Sequence, residues 1–260
     1  MLENSPKNKS TKNVHAKSSV IPWRKNLLAT IVYPSWVLVS FFVAQFLTVG
    51  LLLAIKQLGF SFENINEAVF QTITTAIIFA LSLAITIFVP QKVLHTSVTK
   101  KQLGLTRLPS WFDLLAGPLA FIPYLIIAVI ILGVAQSLFP SFDASQQQDV
   151  GFRSLYNGWE YGLAFLTLVV IAPLAEETLF RGYLYGMLRP RIGLFLAAIV
   201  TSALFGVLHG QWNVGLSVFA LSLVMCGLRE LTGSIWAGVF LHVVKNFIAF
   251  YALFVAPSLL

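Results

Sequence analysis

The chain has 260 residues, 57% of them hydrophobic and only 10% charged, with a formal net charge of +7. An average soluble domain carries roughly 45–50% apolar and about 25% charged residues, so a soluble enzyme of this size is excluded and a bilayer is the expected solvent. The single cysteine, Cys226, rules out an internal disulfide framework and any cysteine-based zinc cluster.

Residues 1–25 read as a disordered basic cytoplasmic tail. Lys7, Lys9, Lys12, Lys17, Arg24 and Lys25 stand there against Glu3, among Ser and Asn and without apolar periodicity. This places most of the positive surplus where it meets anionic lipid heads, and removes nucleic acid as a partner. The tail is too long and polar for the charged region of a signal peptide, so the first apolar block is expected to remain as a membrane helix.

A membrane helix needs about 20 mainly apolar residues. Seven blocks qualify, near 31–55, 68–89, 112–138, 161–188, 193–210, 213–229 and 233–256. The expected fold is therefore an all-α polytopic bundle of about seven (six to eight) transmembrane helices. The polar stretch Ser141–Tyr156, with Gln146, Gln147 and Gln148, reads as a loop. Connecting charges alternate. Lys56 faces Glu63 and Glu67 in the first loop, and Lys92, Lys100, Lys101 and Arg107 fill the second. Asp143, Asp149 and Glu160 outnumber Arg153 in the third, and Arg189 and Arg191 mark the fourth. By the positive-inside rule the amino terminus is cytoplasmic and the carboxyl terminus exterior.

Ionisable residues within apolar blocks are costly unless paired or hydrated. The acidic pair Glu176 and Glu177 interrupts the fourth block, Arg181 follows one turn later, and His209, His242 and Lys245 lie in the last third. Glu177 and Arg181 are spaced i,i+4 in the favourable order for an ion pair. Glu176 points about 100° away from its neighbour, and Phe205 with His209, and His242 with Asn246, each share a helix face. Counted along regular helices from the Arg189/Arg191 side, Glu176, His209 and Asn246 come out roughly 20 Å deep, with His242 about a turn away. One water-containing cavity is expected.

A carboxylate and a histidine can deprotonate a water while a second histidine and an amide donate to an oxyanion. Glu176, His209 and His242 are equally the donor set of a catalytic zinc site. The residues leave both chemistries open. They also leave open an ion-coupled transporter, since intramembrane charges mark solute pathways, and a non-catalytic membrane regulator or immunity protein. No HExxH, GxSxG or phosphate-loop motif is present, and no Asp falls in a spanning block to serve a membrane aspartyl protease.

Glu176-Glu177-Thr178-Leu179-Phe180-Arg181 matches EExxxR, Phe205–His209 matches FxxxH, and His242–Asn246 matches HxxxN. In this order on successive helices, the three motifs resemble the CAAX protease and bacteriocin-processing (CPBP, or Abi) family of intramembrane proteases. The likeness covers residues 159–256 as a catalytic core, leaving 26–158 as additional transmembrane helices and loops. The resemblance implies an intramembrane endopeptidase acting on a membrane-associated peptide or protein. Its substrate would be a prenylated CAAX-type protein or a bacterial leader or bacteriocin-related peptide. It further implies Glu176 as general base, His209 positioning the water, His242 and Asn246 stabilising the oxyanion, and Glu177, Arg181 and Phe205 in support. The family has been described both as metalloproteases and as metal-independent glutamate proteases. Its prenyl proteases take substrate from the cytosolic side, whereas the loop charges here put the cluster beyond mid-membrane.

Overall fold

The computed structural model describes residues 23–256 except positions 94, 96, 145, 147, 153 and 154, with side chains from residue 27. The basic tail therefore lies outside the described residues up to position 22. Every regular element among the described residues is helical. In chain order they are α1 (Trp23–Gln57), α2 (Glu67–Val93), the short α3 (Lys100–Leu103), α4 (Trp111–Leu138) and α5 (Gly158–Ile192). These are followed by α6 (Leu194–Val207), α7 (Trp212–Thr232) and α8 (Trp236–Val255).

Six of them, α1, α2, α4, α5, α7 and α8, are long and apolar enough to cross a membrane. The chain is an integral, multi-pass helical bundle. The remaining block expected to span is α6, whose 14 residues rise about 21 Å, short of a hydrocarbon core of about 30 Å. Lipid forces this all-helical solution, because helices satisfy their own backbone groups where water cannot. The polar stretch 141–156 forms no helix among its described residues, as expected.

Hydrogen bonds sort the connections onto two ends. At one end, Arg229 Nη2 donates to the carbonyls of Lys101 (2.9 Å) and Gln102 (3.1 Å), and Ser234 Oγ to that of Gly104 (3.1 Å). Arg189 Nε pairs with Glu230 at 2.9 Å there too. At the other end, Asn66 Nδ2 donates to Glu160 Oε1 (2.7 Å) and Asn213 Nδ2 to the carbonyl of Gln146 (2.6 Å). The Asp149 N–H reaches Gln211 Oε1 at 3.1 Å.

The core sits where α5, α7 and α8 meet, around Tyr183, Leu184, Leu188, Leu221, Met225 and Leu241, all at most 1% exposed. Gly117 brings α4 onto α8. A methyl group there would lie 2.6 Å from Phe240 Cβ and 2.8 Å from the Ala237 carbonyl, so the absence of a side chain sets how closely these helices approach.

α5 departs from regular winding where it matters. Its backbone widens to π-helical turns over Leu166–Ile171 and Thr178–Leu184, on either side of the six-residue segment Ala172–Glu177. Pro173 has no N–H to give to the preceding turn, and the first wide turn takes up that defect. Wide turns of this kind recur at functional sites.

Candidate active site

Two glutamates with opposite environments open the site. Glu177 is fully buried and lies 2.9 Å from Arg181 Nη1, the i,i+4 pair expected from the spacing. The guanidinium makes an ion pair here without the alignment of a hydrogen bond. Its remaining charge rests on the face of Phe205, 4.4 Å from the ring centroid, a cation–π contact. Phe205 thus balances a buried cation, a role that a phenylalanine does not announce in sequence. α8 approaches this pair through Gly238, where a methyl group would fall 2.9 Å from Glu177 Oε2.

His242 lies between the two acids. Its Nδ1 is 3.2 Å from Glu177 Oε1, and its Nε2 is 3.7 Å from Glu176 Oε2. The first distance is a hydrogen bond that fixes the ring. The second is too long for one and leaves Nε2 directed at the Glu176 carboxylate. Glu176 differs from its neighbour in being 19% exposed, and it faces a cavity of about 170 Å³.

His209, Lys245 and Asn246 line the same cavity. The His209 Nδ1 is 2.7 Å from the Phe205 carbonyl. A carbonyl only accepts, so Nδ1 carries the proton and Nε2 is left as the acceptor of the neutral ring. Asn246 Nδ2 donates at 2.8 Å to the carbonyl of Leu168, in the first wide turn of α5. One amide hydrogen is thereby used to hold α8 against α5, and the other is free. Lys245 has no carboxylate within ion-pair distance among the described residues.

The cavity also takes in Gln148, from the polar loop, a residue the motifs did not mark. Glu176 and His209 also line a second, mainly apolar cavity of about 160 Å³ together with Phe41, Phe79, Phe180 and Phe205. Glu176 and His209 therefore border both cavities.

Glu176, His209 and His242 have the chemistry of a catalytic zinc donor set. No three His, Cys, Asp or Glu side chains among the described residues stand together in an arrangement that holds an ion. The cluster in this conformation does not fit a three-ligand site.

Residues 158–248 match the model of a family described as type II CAAX prenyl endopeptidase Rce1-like. This stretch contains all three motifs. Over residues 158–248 the chain is similar to the family that its motifs resemble. The chain is 27% identical over 84 residues to the Bacillus subtilis (strain 168) protein named "Putative membrane peptidase YdiL", covering 32% of this chain and 34% of that one. It is 36% identical over 85 residues to an Escherichia coli protein named "Uncharacterized 24.3 kDa protein", covering 31% of this chain and 39% of that one. The chain thus spans little more than a third of the length of these curated relatives. No solved structure matches. The matched residues begin with α5, and α1, α2 and α4 lie outside them.

Proposed function

We propose that this protein is an intramembrane endopeptidase that hydrolyses a peptide bond of a membrane-associated protein or peptide. The observation that carries the proposal is the approach of His242 Nε2 to Glu176 Oε2 at 3.7 Å, in the cavity that His209 and Asn246 also line. Unpaired polar groups gathered in a membrane core are costly without a task. The family match over the same residues supports peptide hydrolysis as that task.

In this reading Glu176 is the general base. A cavity of about 170 Å³ has room for several waters at about 30 Å³ each. Glu176 takes a proton from one of them as the hydroxide oxygen bonds to the substrate carbonyl carbon. His209 Nε2 accepts the other hydrogen of that water and orients it. The negative charge moves to the carbonyl oxygen, where the free Asn246 amide hydrogen and the His242 ring stabilise it. The carbon–nitrogen bond then breaks, and the proton held by Glu176 passes to the leaving amine. Glu177 and Arg181 touch no reacting atom and are positioning residues, since the Glu177 bond to Nδ1 fixes the His242 ring. The core of this machine is 159–256, and 26–158 forms its casing. Its partners are membrane lipids and a peptide substrate, either of the prenylated CAAX type or a leader or bacteriocin-related peptide.

The test is a comparison of membrane and secreted peptides from cells expressing the wild type, Glu176→Gln or His209→Ala. A cleavage product present with the wild type and lost in both variants supports the mechanism. The same product persisting at full level in Glu176→Gln overturns it. Metal content of the purified protein, measured alongside, reads directly whether an ion accompanies the activity.

A further inference from the structure

The mouth of the Glu176 cavity and the basic end of the bundle face opposite ways. The hydrogen bonds that tie Arg229 to Lys101 and Gln102, and Ser234 to Gly104, gather the second loop, the end of α7 and the start of α8 at one end. Lys92, Lys100, Lys101, Arg107, Arg189 and Arg191 belong to that end. The opposite end, tied by the Asn66–Glu160, Asp149–Gln211 and Asn213–Gln146 bonds, has Lys56 as its basic residue among the described ones, beside Glu63, Glu67, Asp149 and Glu160. Lys and Arg in short loops set membrane orientation, so the first end faces the cytoplasm.

The cavity runs the other way. From Glu176 and His242 it passes Lys245 and Ala249 to Leu253, near the end of α8, and to Gln148 and Val150 in the acidic-end loop. The short α6 explains why the site is reachable from there. Rising about 21 Å from the basic end, its 14 residues stop roughly 9 Å short of a full hydrocarbon core. The turn that carries His209 is therefore recessed on the acidic side, and Gln146 and Asp149 are hydrogen-bonded to Asn213 and Gln211 just after it.

We propose that the site receives its peptide from the non-cytoplasmic side of the membrane, beneath the loop at Gln148. The substrate class this selects is an exported peptide or the outward-facing segment of a membrane protein, rather than a cytoplasmic lipid-modified carboxyl terminus. The choice of substrate rests on the protease reading above, whereas the orientation of the cavity does not.

Single-cysteine variants of the full chain, built on Cys226→Ala and Glu176→Gln so that no turnover is needed, separate the two. Gln148→Cys reports the mouth, Ala249→Cys the cavity interior and Lys101→Cys the basic end. In intact bacterial cells, a membrane-impermeant maleimide is expected to label Gln148→Cys at least tenfold more than Lys101→Cys. A small impermeant methanethiosulfonate is expected to reach Ala249→Cys from the same side. Labelling of Lys101→Cys in intact cells, with Gln148→Cys or Ala249→Cys reactive only after the cells are opened, overturns the proposal. If the labelling pattern holds while wild type and Glu176→Gln show identical peptide profiles, it is the protease reading that has failed and the outward-facing cavity that stands.

Discussion

The first three long helices and the last four elements of this chain are built from the same apolar residues but use them differently. In the most apolar windows of α1, α2 and α4, only 17%, 17% and 22% of residues are buried within the protein, against 39% in α5 and 44% in α7. Phe46, Ile31 and Val129 turn outward, each more than 60% exposed to what is lipid in the membrane. In α5, α7 and α8 the inward positions hold Glu177, Arg181, Ser222 and His242, all nearly or fully buried. Lipid already satisfies an apolar surface, so helix association there gains little from hydrophobicity and depends on packing and polar contacts. The amino-terminal helices accordingly serve as a casing whose outward residues have few constraints. The carboxyl-terminal helices carry a buried polar assembly in which each member depends on another.

The sharpest way to break this contrast is at Glu176. Glu176→Gln keeps the shape of a partly exposed side chain whose approach to His242 Nε2, at 3.7 Å, is too long for a hydrogen bond, so thermal stability in detergent should change little. Cleavage of the substrate identified by peptide comparison should fall by about 10²–10⁴-fold, the usual contribution of a general base. Equal loss of folding and activity would show that the cavity side of the site is structural. Glu177→Ala should behave in the opposite manner. It strands Arg181, itself fully buried, and frees the His242 ring. Breaking a buried pair by removing one partner costs roughly 3–5 kcal/mol. The expected result is a large drop in unfolding temperature along with lost activity, and partial recovery when Arg181 is also replaced by Met.

These two outcomes bear on how far the sequence could be read. The i,i+4 pairing of Glu177 with Arg181 and the shared face of His242 and Asn246 follow from helical repeat alone, and the structure contains both. The insertion of one imidazole between Glu176 and Glu177 does not follow, because it depends on α5 and α8 meeting at a chosen register. The two wide turns flanking Ala172–Glu177 were equally invisible, apart from the hint of Pro173, since a π turn leaves no pattern in side-chain spacing. Helix limits were legible to within several residues, from 23–57 rather than 31–55 for the first block to 194–207 rather than 193–210 for the fifth. That last difference shortens a spanning helix into a recessed one, and only the backbone revealed it. Phe205 was marked by its motif, but its contact with Arg181 required the fold.

Gly117→Ala tests the join between casing and core. The added methyl would meet Phe240 Cβ at 2.6 Å and the Ala237 carbonyl at 2.8 Å, so α4 must move away from α8. Overpacking of this kind costs about 1–3 kcal/mol, readable as a lower unfolding temperature, with activity falling only as far as the shift disturbs His242. A smaller effect is expected from Asn246→Ala. It removes the hydrogen bond to the Leu168 carbonyl, worth about 1 kcal/mol, and in the proposed mechanism one oxyanion donor. The fall in kcat should therefore exceed what the loss of stability explains, whereas Asn246→Gln should restore neither fully.

The smallest effect belongs to the casing's outer face and is the most direct check on the comparison. Phe46 in α1 is 76% exposed and, in the membrane, meets acyl chains rather than protein. Phe46→Leu exchanges one apolar surface for another where no cavity can form, because lipid fills whatever the ring vacates. Stability should stay within about 0.5 kcal/mol of the wild type, as for surface substitutions generally, and peptide cleavage should be unchanged. A substantial loss would mean that α1 meets a protein surface at this position, a second copy or the substrate itself, and the helix would then belong to the working half of the molecule.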